Sequence, residues 1–166
     1  MGTSENLKEA FAGESQANRT YLAFAKKAEA EGYPQIAKLF RGAAEAETVH
    51  ALAHLSVLGG VKGTAENLQA AIKGEGFEFQ EMYPKFLAEA EREGNKAGAN
   101  SVSNALQVEK VHHRLYTEAL AAFKTGKDLP RTSIFVCSVC GNTVYGQPPE
   151  ECPICGSPRS KFGEIA

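Results

Sequence analysis

The sequence predicts a mainly α protein: a four-helix bundle over residues 1–125, a linker over 126–131, and a small loop-and-strand module over 132–166. Three observations carry that expectation. Residues up to about 125 are rich in Ala, Glu, Leu and Lys, with apolar positions repeating at three-and-four spacing. From Thr125 onward the composition changes, with Gly126, Pro130, Gly141, Gly146, Pro148, Pro149, Pro153, Gly156 and Pro158 crowding the tail and a short apolar run, Ile134-Phe135-Val136, before the first cysteine. All four cysteines lie between Cys137 and Cys155, inside that tail.

Each helix has its punctuation. Glu31-Gly32-Tyr33 ends the first, and Pro34 suits the opening turn of the second because a first-turn residue needs no N–H. Gly59-Gly60 closes the second at a left-handed cap, and Thr64 is the expected N-cap of the third. Pro84 lies inside the third and should kink it by removing a donor and crowding the preceding turn. Glu93-Gly94 breaks the chain before the fourth, which runs to about Phe123. Short connections make neighbouring helices antiparallel, as in a bundle.

Bulk properties narrow the function classes. A formal charge of −2 over 166 residues offers no basic field for a phosphate backbone, so nucleic acid is not an expected partner. No apolar run approaches a membrane span, and the polar N-terminal stretch, Met1 to Ala10, lacks a signal core. A cysteine cluster in such a chain reads as a metal site in a reducing compartment, so the expected location is the cytoplasm.

The inner stripes of the helices carry the chemistry. The first has Leu7, Phe11, Glu14, Asn18, Tyr21 and Ala25; the second Ile36, Phe40, Ala43, Glu47, His50, His54 and Val57. The third has Leu68, Ile72, Glu75, Glu78, Met82 and Phe86; the fourth Val102, Ala105, Glu109, His112, Tyr116 and Phe123. Each faces a common core, and each is interrupted near its middle by a carboxylate. Buried glutamates repel one another and are costly to desolvate, and cations are the natural remedy. One carboxylate from each of two helices, with Glu-x-x-His from two others, is a di-metal arrangement suited to iron or manganese. Glu47-Thr-Val-His50 and Glu109-Lys-Val-His112 both match it.

A duplication is visible as well. The interval from Glu14 to Glu47 is only one position shorter than that from Glu75 to Glu109, and each contains a Glu-Gly break. Glu78 has no counterpart, since Ala17 stands at the matching place after Glu14. It reads as a carboxylate that joins a metal in one redox state and leaves in the other, which holds the buried charge near constant. Tyr21, Tyr83 and Tyr116 are candidate hydrogen-bond donors to ligand carboxylates. His54 reads as a core histidine, His113 as an exposed one, and Met82 as core filling.

In the tail, Cys137-Ser-Val-Cys140-Gly and Cys152-Pro-Ile-Cys155-Gly form paired Cys-x-x-Cys knuckles separated by eleven residues, the spacing of one tetrahedral four-sulfur site. Spacing alone leaves zinc and iron open. Glycine after each second cysteine, and a di-metal site in the same chain, favour iron.

Together these segments resemble rubrerythrin over essentially the whole chain. Ala12-Gly13-Glu14-Ser15, Glu47-x-x-His50, Glu75-x-x-Glu78 followed by Glu81-Met82-Tyr83-Pro84, and Glu109-x-x-His112 match that family's motifs in order. The cysteine knuckles, with Pro158 and Phe162 after them, are similar to rubredoxin, although the insert between them is short. The resemblance implies a ferritin-like bundle with a rubredoxin-like domain. It implies two non-haem irons in an oxo- and carboxylate-bridged centre held by Glu14, Glu47, Glu75, Glu78, Glu109 and His112, and a third iron on Cys137, Cys140, Cys152 and Cys155. His50 then replaces Glu78 on one iron upon reduction, and Tyr21 and Tyr83 stand beside the site. The implied activity is reduction of hydrogen peroxide to water in oxidative-stress defence, with electrons passing through the four-cysteine iron. The implied partners are an electron donor, such as a rubredoxin or an NAD(P)H-dependent reductase, and a second copy of the chain in a homodimer, helix-swapped in some members. The competing readings are a ferritin-like iron oxidase or store with a metal-binding tail, a di-iron oxygenase with an organic substrate, and a tail that is a zinc ribbon recruiting partners.

Overall fold

A computed structural model describes residues 2–165. The chain is 69% helical, and the mainly α, ferritin-like class with a small C-terminal strand region holds. The helices are α1 (Thr3–Ala30), α2 (Pro34–Val57), α3 (Thr64–Phe77), α4 (Tyr83–Arg92) and α5 (Lys96–Lys124), with a π-helical segment, Glu78–Met82, between α3 and α4. Strands β1 (Ile134–Cys137), β2 (Thr143–Tyr145) and β3 (Phe162–Glu164) form an antiparallel sheet in the order β2-β1-β3. Among the described residues no helix is long and apolar enough to cross a membrane.

The chain divides into two compact units, one up to Lys62 and one from Gly63 onward. The first is an antiparallel pair, α1 against α2, packed through a seam of alanines: Ala25 and Ala28 from α1, and Ala37, Ala44 and Ala51 from α2, are all buried. Small side chains let the two backbones approach closely. Asn18 then ties them together, its Nδ2 donating to the Ala44 carbonyl at 2.6 Å and to Thr48 Oγ1 at 2.8 Å. The stripes predicted to be internal are only partly so, because alanines fill the seam: Ile36 and Val57 are 48% and 73% exposed.

In the second unit α3, the π segment and α4 run along α5, which buries Leu106, Val108 and Leu115. The stripe fails at its ends here too, with Phe86, Tyr116 and Phe123 left exposed. Thr64 is not the N-cap of α3. Gly63 takes that place, because the Glu66 carboxylate reaches back to its N–H at 3.3 Å. His113 is not exposed but half-buried, its ring edge-on to Phe79 at 5.3 Å.

Instead of the simple kink expected at Pro84, the chain widens into a π turn just before it. Proline removes a donor and crowds the carbonyl a turn earlier, and a wider turn relieves both. This also locates the single-position difference between the halves. Glu47 stands as far beyond Pro34, where α2 begins, as Glu109 stands beyond Lys96, where α5 begins. The connections 31–33 and 93–95 are equal in length. The stretch from Glu75 to the end of α4 at Arg92, however, is one position longer than that from Glu14 to the end of α1 at Ala30. The extra residue therefore lies in the stretch that contains the π segment. The aromatic pairs obey the same offset: Tyr83 and Phe86 each stand one position further from Glu75 than Tyr21 and Phe24 stand from Glu14. The ring centroids of Tyr21 and Phe24 are 6.4 Å apart, and those of Tyr83 and Phe86 are 6.2 Å apart.

Candidate metal centres

Each unit gathers one glutamate and one Glu-x-x-His. In the first, α1 contributes Glu14 and α2 contributes Glu47 and His50; His50 Nδ1 lies 3.1 Å from Glu47 Oε2 and 3.9 Å from Glu14 Oε1. In the second, α3 contributes Glu75 and α5 contributes Glu109 and His112; His112 Nδ1 lies 2.9 Å from Glu109 Oε2 and 3.9 Å from Glu75 Oε1. Residues three apart on a helix are surface neighbours, so Glu-x-x-His converges on one point by construction. Ligand atoms about 2.1 Å from a common ion stand about 3.0 Å apart when adjacent and about 4.2 Å apart when opposite. The observed separations fall in that range, so both triads fit an oxygen- and nitrogen-ligated divalent metal.

Electrostatics of the second triad point the same way. Burial, then the hydrogen bond and charge of Glu109, and then Glu78, raise the Glu75 pKa to about 7. Burial and Glu109 raise Glu78 as well, with His112 pulling the other way. Tyr83 is pushed up by burial and by Glu109, Glu78 and Glu75 in turn, which sets its phenol among three carboxylates. A cation here removes the mutual repulsion. Glu78 stands near this triad three residues past Glu75, at the start of the π segment. Tyr21 sits differently, in a cluster with Phe24 and Phe40. His54 is half-buried and joins neither triad, and Tyr116 shares a cavity of about 270 Å³ with Leu68, His112, Thr143 and Tyr145.

The four cysteines converge in the tail. Cys137 and Cys155 Sγ are 3.7 Å apart, and Cys140 and Cys152 Sγ are 3.6 Å apart. A disulfide would bring sulfurs to about 2.05 Å. Tetrahedral thiolates about 2.3 Å from an ion stand about 3.8 Å apart, so the cluster fits a single metal. The knuckles are built alike: Gly141 N–H donates to the Cys137 carbonyl at 2.8 Å, and Gly156 N–H to the Cys152 carbonyl at 2.9 Å. Both glycines need left-handed backbone, at φ +89° and +70°. Each turn then aims an amide two residues past the second cysteine at its sulfur, Asn142 at Cys140 and Ser157 at Cys155. Burial pushes both thiols up. At Cys140 it prevails, whereas at Cys155 the Ser157 hydroxyl and amide outweigh it and bring the thiol down to about 6.

Two residues of this region go unmarked in the sequence. Asn142 is 2% exposed and directs Nδ2 at Cys152 Sγ, 3.8 Å away. Thr143 lies 3.0 Å from His112 across a long stretch of chain, a separation at which no periodicity speaks.

Carboxylate–histidine triads on ferritin-like helices, with a four-cysteine module in the same chain, define a metalloprotein of the non-haem carboxylate class. The rubrerythrin family profile matches residues 5–120, and the profile of the rubrerythrin rubredoxin-like domain matches 135–163. Rubrerythrin-2 of Clostridium acetobutylicum is 36% identical, with 96% of this chain and 95% of the relative covered. Rubrerythrin of Porphyromonas gingivalis is 38% identical over 96% of this chain and 88% of its own. The solved structure of nigerythrin in its fully reduced, all-ferrous state superposes with a TM-score of 0.59 at 32% identity, covering 99% of this chain and 88% of that one. The chain belongs to the rubrerythrin family, with that family's di-iron site and a rubredoxin-like site at Cys137, Cys140, Cys152 and Cys155.

Proposed function

We propose that this chain is a rubrerythrin-type peroxidase that reduces hydrogen peroxide to water in oxidative-stress defence. The observation that carries the reading is the seat of the cysteine module on α5: Gly141 faces Val108, and β2 stands beside His112. An iron store has no use for an electron carrier packed against a ligand helix.

In this reading Glu14, Glu47, Glu75, Glu109 and His112 would hold the di-iron centre in either oxidation state, and Glu78 and His50 would be alternative ligands to one iron. Bound ferrous iron supplies the two electrons of H2O2 + 2H+ + 2e− → 2H2O. The protein supplies position and protons. Glu78, with its pKa raised by burial and by Glu109, can hold a proton whenever it is off the metal. Tyr83 keeps its phenolic proton and offers it as a hydrogen bond toward the carboxylates around it. Tyr21, two turns past Glu14 on α1, is assigned the same role. The four thiolates would hold an iron that would supply one-electron transfer, with a rubredoxin or an NAD(P)H-dependent reductase as the electron donor.

The working divisions are residues 1–125, 126–131 and 132–166, supported by the end of α5 at Lys124 and the start of β1 at Ile134. The chain acts as a cytoplasmic homodimer. Support for a partner copy comes from the large apolar side chains of Leu39, Val49, Leu52 and Val57, which are exposed while alanines fill the α1–α2 seam.

Stopped-flow mixing of reduced protein with peroxide, and separately with oxygen, tests the activity. Peroxide should reoxidise the protein at least tenfold faster; preference for oxygen would make it an oxidase or store. Glu78→Ala should lose most peroxidase turnover while retaining the helical fold, and full turnover in that variant would remove Glu78 from the mechanism.

A further inference from the structure

His112 is held at both ring nitrogens. Nδ1 faces Glu109 Oε2 at 2.9 Å and Glu75 Oε1 at 3.9 Å, and Nε2 faces Thr143 Oγ1 at 3.0 Å. The threonine hydroxyl has one proton and a second neighbour, the Gly141 carbonyl, at 3.2 Å. A carbonyl only accepts, so the proton goes to Gly141 and Thr143 offers His112 a lone pair. A lone pair facing Nε2 calls for a hydrogen on Nε2. In the neutral ring that leaves Nδ1 bare, and Nδ1 is the nitrogen that faces the carboxylates.

We propose that Thr143 is a positioning residue for the carboxylate centre. Its hydroxyl, anchored on the Gly141 carbonyl, receives the His112 Nε2–H and fixes the ring's tautomer and plane with Nδ1 toward the metal. Ligating histidines need such a partner on the second nitrogen, and here the cysteine module provides it. Gly141 follows Cys140 directly, so Cys140, Gly141, Thr143 and His112 form one short link between thiolate and imidazole inside a single compact unit. His50 differs. Its triad has the same geometry, but its side chain is 55% exposed. One imidazole is therefore braced by the cysteine module while the other lies more than half exposed, in keeping with the exchange assigned to His50. The inference rests on the helical site being a metal site and not on peroxide being its substrate.

The test uses the full chain loaded with zinc, which is redox-silent, and nitrogen-15 NMR of the histidine rings. The wild-type spectrum alone decides the tautomer: His112 should carry its proton on Nε2, in slow exchange with water, and a ring protonated on Nδ1 overturns the proposal. Thr143→Val keeps the side-chain shape and removes the hydroxyl. It should speed exchange at Nε2 and weaken zinc binding at the helical site roughly 10- to 100-fold, the range typical of lost outer hydrogen bonds to ligands. Thr143→Ser should restore both. Val and Ser variants that bind zinc equally well, with Nε2–H equally protected, also overturn it. A protein inert toward peroxide that shows the expected Val–Ser contrast would fail the proposed function and leave this inference standing.

Discussion

The charge crowding around Glu75 makes a quantitative prediction for the protein stripped of metal at its helical ligands. Folding moves the Glu75 pKa from 4.5 to about 7, a rise of about 2.5 pH units, chiefly through burial and then through Glu109. At about 1.36 kcal/mol per unit the ceiling is about 3.4 kcal/mol. The side chain remains 19% exposed, and water screens part of its interaction with Glu109, so about 1–2 kcal/mol is the working figure. The folded-state pKa is raised, so the folded protein holds this proton more tightly than the unfolded one. The resulting stability is fully present below pH 4.5 and is lost as pH rises through 7. Glu75→Gln keeps the shape, cannot ionise, and can donate to Glu109. Chelated wild type and variant are compared by urea unfolding at pH 5 and pH 8, followed by far-UV circular dichroism. Between the two pH values the variant should gain about 1–2 kcal/mol on wild type. Taking the difference cancels the titrating groups that do not interact with Glu75. With iron present the order should invert, because the variant loses a ligand and the stabilisation that binding brings. A stability difference that does not move with pH in the chelated protein would refute the argument from buried charge.

Two further perturbations separate the parts of the fold. Asn18→Leu removes the two hydrogen bonds between α1 and the α2 residues Ala44 and Thr48 and should lower stability by about 1–2 kcal/mol; a smaller effect in a Thr48→Val background would show that the threonine shares it. Gly141→Ala places a Cβ 3.7 Å from Val108, an ordinary contact, so its penalty of about 1–2 kcal/mol should come from the left-handed backbone alone, and Gly156→Ala should show a similar loss in thermal midpoint.

Where signals are local, the sequence is explicit. Glu14, Glu47, His50, Glu75, Glu109 and His112 announce themselves by spacing along single helices; each Glu-x-x-His pair converges by helix geometry, and the antiparallel packing of neighbouring helices brings Glu14 and Glu75 to them. The cysteine knuckles are equally local. Thr143 is illegible because its partner lies far away along the chain and the contact depends on how the module seats on α5. The π turn leaves one trace, the slight mismatch between the Glu14–Glu47 and Glu75–Glu109 intervals, whose meaning emerges only when helix ends are known to the residue. Thr64 and His113 depart from expectation for a shared reason. Glu66 reaches back to Gly63, and Phe79 packs on His113 from a different helix, contacts that propensity does not weigh. The exposed ends of the α2 stripe reflect the alanine seam, which periodicity alone cannot tell from a filled core.

The single additional residue between Glu75 and Arg92 has a consequence for how such a protein could arise. An insertion in a continuous α-helix rotates everything beyond it by about 100° and would throw the tyrosine and phenylalanine that follow off their face. Absorbed as a wide turn ahead of a proline, the same insertion leaves Tyr83 and Phe86 in register with Tyr21 and Phe24. Gene doubling supplies two equivalent halves. One inserted codon, with a glutamate at 78 where the other half keeps Ala17, is then enough to make them inequivalent.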